Sequence, residues 1–236
     1  AEWRWLAMLN YEVDPQLLQP LIPSGTELDL WEGRALISVV GFRFLKTRLG
    51  GWAIPGHQNF DEVNLRFYVR RRVVDGWRRG VVFVREIAPR RAVVWVARTI
   101  YNENYVYFPM RSQHSSPAPD VPVGRVTYEW RVKGSWRGVH GRMTGDAQPL
   151  TPGSEAEFIT EHYWGYARQR DGSTMEYQVD HPPWKVWPEA TLSLTGNMTD
   201  VYGQDFGRAI ARPPASTLVA EGSAVVVRRG VKLRPE

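Results

Sequence analysis

The chain has 236 residues, of which 43% are hydrophobic and 12% aromatic, and it contains no cysteine. This composition allows a sizeable core and excludes a disordered chain, disulfide bonds, zinc–thiolate centres and thiol nucleophiles. The longest apolar stretches run to about five residues, whereas a membrane-spanning helix needs roughly 20. No secretory pattern opens the chain, although processing could have removed one. We therefore expect a cytoplasmic protein that does not enter a membrane.

The net charge of +5 depends on arginine, because only Lys46, Lys133, Lys185 and Lys232 among the 30 basic residues are lysines. Runs such as the three arginines at 70–72 could indicate nucleic-acid binding. Each run, however, stands beside a predicted turn or strand end, where charge normally faces water. We therefore expect no nucleic-acid partner.

The predicted elements begin with a strand over residues 3–11 and a short helix with Asp14 as its N-cap. A hairpin with a Glu32-Gly33 turn follows. The clearest hairpin has Asp75-Gly76 as its turn, because both residues tolerate the positive φ of a tight turn. Its first strand is predicted over residues 63–73.

After this hairpin, the apolar spacing predicts an amphipathic helix over residues 91–102. A second long helix is predicted from Thr151, as its cap, to Arg168. Further strands are predicted over residues 105–110, 125–133, 136–143, 175–181, 190–194 and 224–228. Many short strands, few helices and no linker predict one α+β domain over residues 1–236, with a mostly antiparallel sheet that could close into a barrel.

The first strand of the clearest hairpin carries a polar face. Strand alternation places Glu62, Asn64 and Arg66 side by side, with Val63 and Leu65 pointing the other way. Facing inward, the carboxylate, amide and guanidinium would form a pocket floor able to hold a carboxylate or carbonyl group. Facing outward, they would form a surface pair of little energetic value, and spacing alone favours that interpretation.

The other polar motifs indicate little chemistry. Glu161 and His162 are adjacent on the second predicted helix, where neighbouring side chains diverge, so His162 is expected to be a helix-end cation or a packed ring. His181 ends a strand and could carry a proton or contact a ligand. The five histidines are scattered, and no nucleophile elbow or phosphate-binding loop is present. We therefore expect no metal and no cofactor.

Several segments resemble, in order, the YqjF-like family of uncharacterised bacterial proteins within the acetoacetate-decarboxylase-like superfamily. The matching segments include Leu9-Asn10-Tyr11-Glu12-Val13-Asp14-Pro15, Glu62-Val63-Asn64-Leu65-Arg66, Ala97-Arg98, Leu150-Thr151-Pro152-Gly153 and His181-Pro182-Pro183-Trp184. No single segment is specific, but the ordered set across the chain is fairly so. The resemblance implies a closed or cone-shaped antiparallel β-barrel with helices packed outside and a cavity within.

The resemblance also shows what this chain lacks. In the decarboxylase, a lysine forms a Schiff base with the substrate ketone, beside a second lysine that depresses its pKa. That pair falls here on Tyr105-Val106, shortly after Arg98, and the carboxylate-binding arginine of the decarboxylase falls on Glu12. Because no lysine occurs between Lys46 and Lys133, we expect no Schiff-base decarboxylation.

With the resemblance, the inward orientation of the polar face becomes the expected one, and Arg66 is expected to pair with Glu62 or Glu12. The first hypothesis is a protein that binds a small polar or anionic molecule in a barrel cavity, with any catalysis left open. The expected ligand-binding residues are Glu12, Glu62, Asn64, Arg66, Arg98 and Tyr105.

The alternative hypothesis is a structural or oligomeric interaction module whose cavity is filled by aromatic side chains such as Tyr101 and Tyr105. A nucleic-acid-binding barrel is the weakest hypothesis. Whether the chain forms a homo-oligomer stays open at this stage.

Overall fold

One large and one small β-sheet make up most of the protein, whose structure is a computed structural model that describes residues 1–233, apart from the side chains of Leu49, Ile100 and Tyr101. The strands are β1 (Glu2–Val13), β2 (Glu27–Leu28), β3 (Ala35–Leu45), β4 (Arg48–Leu49), β5 (Trp52–Ala53), β6 (Phe60–Val73), β7 (Gly76–Ala88), β8 (Tyr105–Tyr107), β9 (Met110–Ser115), β10 (Val123–Val132), β11 (Ser135–Thr144), β12 (Trp164–Arg168), β13 (Thr174–Asp180), β14 (Val186–Trp187), β15 (Thr191–Thr195), β16 (Ser216–Ala224), β17 (Val226–Val227) and β18 (Val231–Leu233). The helices are α1 (Pro15–Leu18), α2 (Arg91–Val96), α3 (Glu155–Thr160), α4 (Thr199–Tyr202) and α5 (Gln204–Ala209). A 3₁₀ turn, Gln19–Leu21, follows α1, and a π-helical turn, Ala97–Tyr101, continues α2.

The large sheet has the strand order β14-β16-β1-β3-β6-β7-β12-β13-β17, with β2 beside β6, β8 beside β7 and β18 beside β13. Its ladders are antiparallel, except that β8 and β12 both run parallel to β7. Within residues 1–233, no ladder joins β14 to β17. The α+β architecture is therefore confirmed, whereas the predicted closure into a barrel is not.

An apolar core lies between the two sheets. The small sheet has the order β15-β11-β10-β9, and its strand β10 buries Val126, Tyr128 and Trp130 in the same core as Leu65 of β6. The sheets approach closely at Gly41 of β3, where an added Cβ atom would lie 2.6 Å from the ring of Tyr128. Glycine is needed there because any side chain would displace a buried ring.

Of the two predicted hairpins, the second is confirmed and the first is wrong beyond its turn, because β2 pairs with β6 rather than with β3. Glu32-Gly33 forms the first predicted turn, with φ angles of 48° and 81°. In the second hairpin, Val73 pairs with Gly76, so the two central turn residues are Val74 and Asp75 rather than Asp75 and Gly76. Gly76, with φ of 130°, opens β7 instead.

The helix predictions hold only in part. Asp14 caps α1, as predicted, by accepting a hydrogen bond of 2.8 Å from the amide of Gln16. The long helix predicted over 151–168 is wrong, because α3 is a short helix capped by Ser154. Residues 164–168 form β12, where pairing with β13 and β7 outweighs the helical spacing. None of the helices in the described residues is long and apolar enough to span a membrane.

Candidate functional site

A cavity of about 360 Å³ lies on the face of the large sheet that points away from the small sheet. Alternate residues of β3, β6 and β7 line it, and Val93 and Ala97 reach it from α2 and the π-helical turn. Most of its wall is apolar, with aromatic rings such as Phe42 and Phe83. A mostly apolar cavity with a few polar groups is typical of a small-molecule site.

The polar face of β6 lines this cavity. Glu62, Asn64 and Arg66 are 2%, 2% and 8% exposed, while the intervening Val63 and Leu65 lie in the core between the sheets. The surface interpretation that spacing alone favoured is therefore wrong. The inward orientation expected from the family resemblance is the one in the structure.

Glu62 is part of a group of acids and phenols that we call the acidic cluster. The acidic cluster consists of Glu62, Glu86, Glu103, Tyr105 and Tyr177, all of which line the cavity. Tyr105 Oη donates a hydrogen bond of 2.6 Å to Glu62 Oε2, and Tyr177 Oη donates one of 3.0 Å to Glu103 Oε1. Asn64 Nδ2 donates to Glu62 Oε1 at 3.1 Å. Glu86 Oε2 is buried and has no hydrogen-bond partner among the described residues.

Burial raises the pKa of all three carboxyl groups, because a carboxylate loses its hydration in the cavity. The pKa of Glu62 rises to about 7 and that of Glu103 to about 8, although hydrogen bonds from Tyr105 and Tyr177 oppose these shifts. The pKa of Glu86 rises well above its usual range because of burial and then the charges of Glu103 and Glu62. The acidic cluster therefore retains protons at neutral pH that exposed glutamates would lose.

Arg66 occupies a different part of the cavity. Its Nη2 donates a hydrogen bond of 3.2 Å to the carbonyl oxygen of Ile159 and lies 3.9 Å from Met8 Sδ. Its Nε has no partner, and within residues 1–233 it takes part in no ion pair. The predicted pairing of Arg66 with Glu62 or Glu12 is therefore wrong. The two side chains do not meet because they point in different directions. Arg66 contacts Met8 on β1, whereas Glu62 accepts a hydrogen bond from Tyr105 on β8.

His162 adds a neutral ring to the cavity wall. Its Nε2 lies 3.2 Å from Asp29 Oδ2, which also accepts a 2.6 Å hydrogen bond from Arg79 Nε. Burial lowers the pKa of His162 to about 4, despite the hydrogen bond to Asp29. The helix-end interpretation is wrong, since His162 follows the short α3, and the packed-ring interpretation is correct, with Tyr68 at 4.7 Å between ring centres.

Two predicted site residues lie outside the cavity. Glu12 is exposed, and its Oε2 lies 4.0 Å from Arg34 Nη1. Arg98 is also exposed and borders a shallow depression on the outer side of the π-helical turn. Val93 and Ala97, four residues apart, face the cavity, and the next residue along a helix turns away by about 100°.

Tyr105 lines the cavity, as expected of a site residue, but it does not fill it. The side chain of Tyr101, the second aromatic residue expected to fill the cavity, lies outside the described residues.

Sequence reasoning missed Glu86, Glu103 and Tyr177. The available signal was Glu86, an acid that stands with Arg85 in the otherwise apolar second half of β7. Within the described residues, no group of His, Cys, Asp and Glu side chains is arranged to hold a metal ion.

All four lysines lie at the protein surface. Lys46, Lys133 and Lys232 each pair with an acid outside the cavity, at 2.7 Å for Lys46 Nζ and Glu2 Oε1. Lys185 is exposed beside β14. None of them lines the cavity.

Incubation with acetoacetate and borohydride is therefore expected to leave the intact mass of the protein unchanged. Imine formation needs an unprotonated amine, and solvation keeps a surface lysine charged at neutral pH. A lysine-dependent acetoacetate decarboxylase, treated in the same way, is the positive control. Stoichiometric trapping at one lysine would contradict this expectation.

Solved structures with the same fold are acetoacetate-decarboxylase-like proteins. The acetoacetate decarboxylase of Legionella pneumophila has a TM-score of 0.60 and 15% identity, over 99% of this chain and 88% of that chain. The enduracididine biosynthesis enzyme MppR, complexed with pyruvate, has a TM-score of 0.65 and 13% identity, over 100% of this chain and 91% of that chain. Identities this low show the fold alone, so the protein has an acetoacetate-decarboxylase-like fold.

The chain belongs to the DUF2071 family, described as "Uncharacterized conserved protein", whose model matches residues 1–224. The uncharacterized protein YqjF of Bacillus subtilis (strain 168) is 29% identical over 204 residues, which are 85% of this chain and 80% of YqjF. These matches confirm the family resemblance that the ordered sequence segments indicated.

Proposed function

We propose that the protein binds a small molecule with an acid group in this cavity, and that Arg66 is the anchor for that group. The observation that carries the proposal is a buried guanidinium with no carboxylate partner within residues 1–233. A buried charge without a counter-charge costs on the order of several kcal/mol. A ligand carboxylate would supply the counter-charge and accept a hydrogen bond from the free Nε.

The size and walls of the cavity support this proposal. Its volume of about 360 Å³ falls in the range of roughly 300–1,000 Å³ that is usual for small-molecule sites. Its apolar walls suit the carbon skeleton of an organic acid. One structure of MppR, which shares the fold, is a complex with pyruvate, itself a small acid. The open space favours ligand binding over an interaction module with a filled cavity.

We further propose that the large sheet curls around the ligand, as a cone-shaped barrel would. Trp3 of β1 and Val227 of β17 line the same cavity, although several strands separate β1 from β17 in the sheet. Strands so far apart can meet around one space only if the sheet bends strongly. Side-chain packing rather than a hydrogen-bonded ladder then completes the enclosure.

The proposal excludes a Schiff-base step, because none of the four lysines lines the cavity. A carboxyl group such as Glu62, whose pKa is about 7, has the right proton affinity for acid–base chemistry at neutral pH. Any reaction in the cavity would therefore use carboxyl groups instead of an amine.

The decisive variant is Arg66→Met, tested by titration calorimetry with pyruvate and hexanoate. We expect the wild type to bind at least one of these acids and the variant to bind it roughly ten- to a hundredfold more weakly, since a hydrogen bond to a charged group contributes about 1.5–3 kcal/mol. Arg70→Met is the matched control, because Arg70 lies on the same face of β6 but pairs with Glu27 at 2.7 Å outside the cavity.

Two results would contradict the proposal. One is equal weakening of binding in Arg66→Met and Arg70→Met. The other is a wild-type protein that binds neither acid. Thermal unfolding of both variants establishes that each is folded before binding is compared.

A further inference from the structure

Arg66 and the acidic cluster form two separate poles of the cavity. On one face of β6, Glu62 lies four residues from Arg66 and Asn64 lies two, so their Cα atoms are about 13 Å and about 7 Å from that of Arg66 at roughly 3.3 Å per residue. The side chains of Glu62 and Arg66 also diverge, because Arg66 contacts Met8 on β1 while Glu62 contacts Tyr105 on β8. A ligand held at both poles must therefore be extended.

The pole at the acidic cluster has oxygen acceptors that no donor of the described residues satisfies. Tyr105 and Tyr177 each donate to one carboxyl oxygen, and Asn64 donates to another. Glu86 Oε2 is left buried without a donor. Because a buried polar atom without a partner is costly, this end of the cavity suits a group that brings several N–H donors.

Asn64 gives a second and independent indication of a missing ligand donor. It lines the cavity beside the acidic cluster and is 2% exposed. Its Nδ2 is used by Glu62, but its Oδ1 has no partner. Asn64 pairs with Glu86 in the β6–β7 ladder. Two unsatisfied acceptors, Asn64 Oδ1 and Glu86 Oε2, therefore belong to paired residues on neighbouring strands.

We infer that the acidic cluster receives a protonated primary amine of the ligand, whose acid group lies at Arg66, so that the ligand is an ω-amino acid. An ammonium group has three N–H donors and no acceptor, which matches the two unsatisfied oxygen atoms, Asn64 Oδ1 and Glu86 Oε2, once the carboxyl protons have left. The amine and the acid must be separated by several carbon atoms, because the two poles diverge along β6. This inference rests on the proposed function, since it places the acid group at Arg66.

Binding of an amine should release protons. The acidic cluster retains protons at neutral pH because burial disfavours the charged carboxylates. A ligand cation favours those charged forms, so carboxyl protons pass to the buffer as the ammonium group enters. No covalent bond forms or breaks in this step.

The experiment compares 6-aminohexanoate, hexanoate and hexylamine by titration calorimetry in two buffers of different ionisation enthalpy. We expect 6-aminohexanoate to bind at least tenfold more tightly than hexanoate and to release protons at neutral pH. The variant Glu86→Gln, which keeps the shape of the side chain, is expected to remove most of that preference, measured as the ratio of the affinities for 6-aminohexanoate and hexanoate in the same variant.

The outcomes separate the two proposals. If hexanoate binds in an Arg66-dependent way and 6-aminohexanoate binds no more tightly, the inference about the amine is wrong and the proposed function stands. If neither acid binds, both are wrong. If Glu86→Gln weakens the binding of hexanoate and of 6-aminohexanoate equally, Glu86 has a structural role and the inference is also wrong.

Discussion

The free energy of unfolding is expected to fall by several kcal/mol between about pH 5 and about pH 9. The folded-state pKa is about 7 for Glu62 and about 8 for Glu103, against an ordinary value of 4.5. Above the ordinary value, the folded state holds more protons than the unfolded state, so stability decreases as the pH rises through the folded-state values. At about 1.4 kcal/mol per pKa unit, Glu62 alone accounts for on the order of 3 kcal/mol.

Urea unfolding followed by tryptophan fluorescence at the two pH values measures this loss. Glu62→Gln is expected to reduce it, because glutamine cannot ionise, whereas the exposed Glu27→Gln should leave it unchanged. His162 acts in the opposite direction at lower pH. Because its folded pKa is depressed to about 4, its contribution is lost as the pH falls from about 6.5 through about 4. Stability that is constant or rising between about pH 5 and about pH 9 would contradict the assigned burial of the acidic cluster.

Asp29→Asn is expected to destabilise the protein by about 1.5–3 kcal/mol, the usual contribution of hydrogen bonds to a charged group, because Arg79 is 34% exposed and is not left as a fully buried charge. Asp29 is 6% exposed and accepts hydrogen bonds from both Arg79 and His162. Burial would raise the pKa of Asp29, but these two hydrogen bonds outweigh it and lower the pKa below its ordinary value. The charged form is therefore the one that the fold requires.

Glu27→Gln is the matched control for this substitution. Glu27 pairs with Arg70 at 2.7 Å, but its side chain is 53% exposed, and exposed ion pairs contribute roughly 0–1 kcal/mol. Urea unfolding at about pH 7 compares the two variants. Equal losses of stability, or a loss below about 1 kcal/mol for Asp29→Asn, would show that the buried pair contributes no more to the free energy of unfolding than the exposed pair does.

Local sequence patterns predicted strands such as β1, β3, β6, β10 and β11 well, because each carries its own alternation or turn residues, but they missed β16, which pairs with β1. Strand β6 shows this directly, since Glu62, Asn64 and Arg66 face the cavity while Val63 and Leu65 face the other sheet. The segment 151–168 shows the limit. Its helical spacing over the part that becomes β12 is overruled by pairing with β7 and β13, a long-range interaction that no local window contains.

The candidate site could be predicted only in part for the same reason. The polar face of β6 is visible in one segment, but the acidic cluster depends on the register between strands. Glu86 lies opposite Asn64 only because the β6–β7 ladder shifts its register between Leu65 and Arg66. Glu103 reaches the cluster from the loop before β8. Such a shift and such a loop have no clear signal in the sequence.

The error over Arg66 has a different origin. A glutamate and an arginine at alternate positions of one strand suggest a salt bridge, and the prediction paired them. In the structure, the two side chains lean to opposite sides of β6, and Arg66 has a backbone carbonyl at Ile159 as its close oxygen partner. The missing counter-charge, rather than a salt bridge, is therefore the informative feature of this strand.

A crystal structure of the protein soaked with hexanoate tests most directly the claim that the cavity is a ligand-binding site anchored by Arg66. We expect electron density for the acid inside the cavity, with a carboxylate oxygen about 3 Å from Arg66 Nε and the carbon chain along the apolar wall. The claim is contradicted if Arg66 is paired with a carboxylate of the protein itself, or if the cavity is filled by side chains and hexanoate is absent from it.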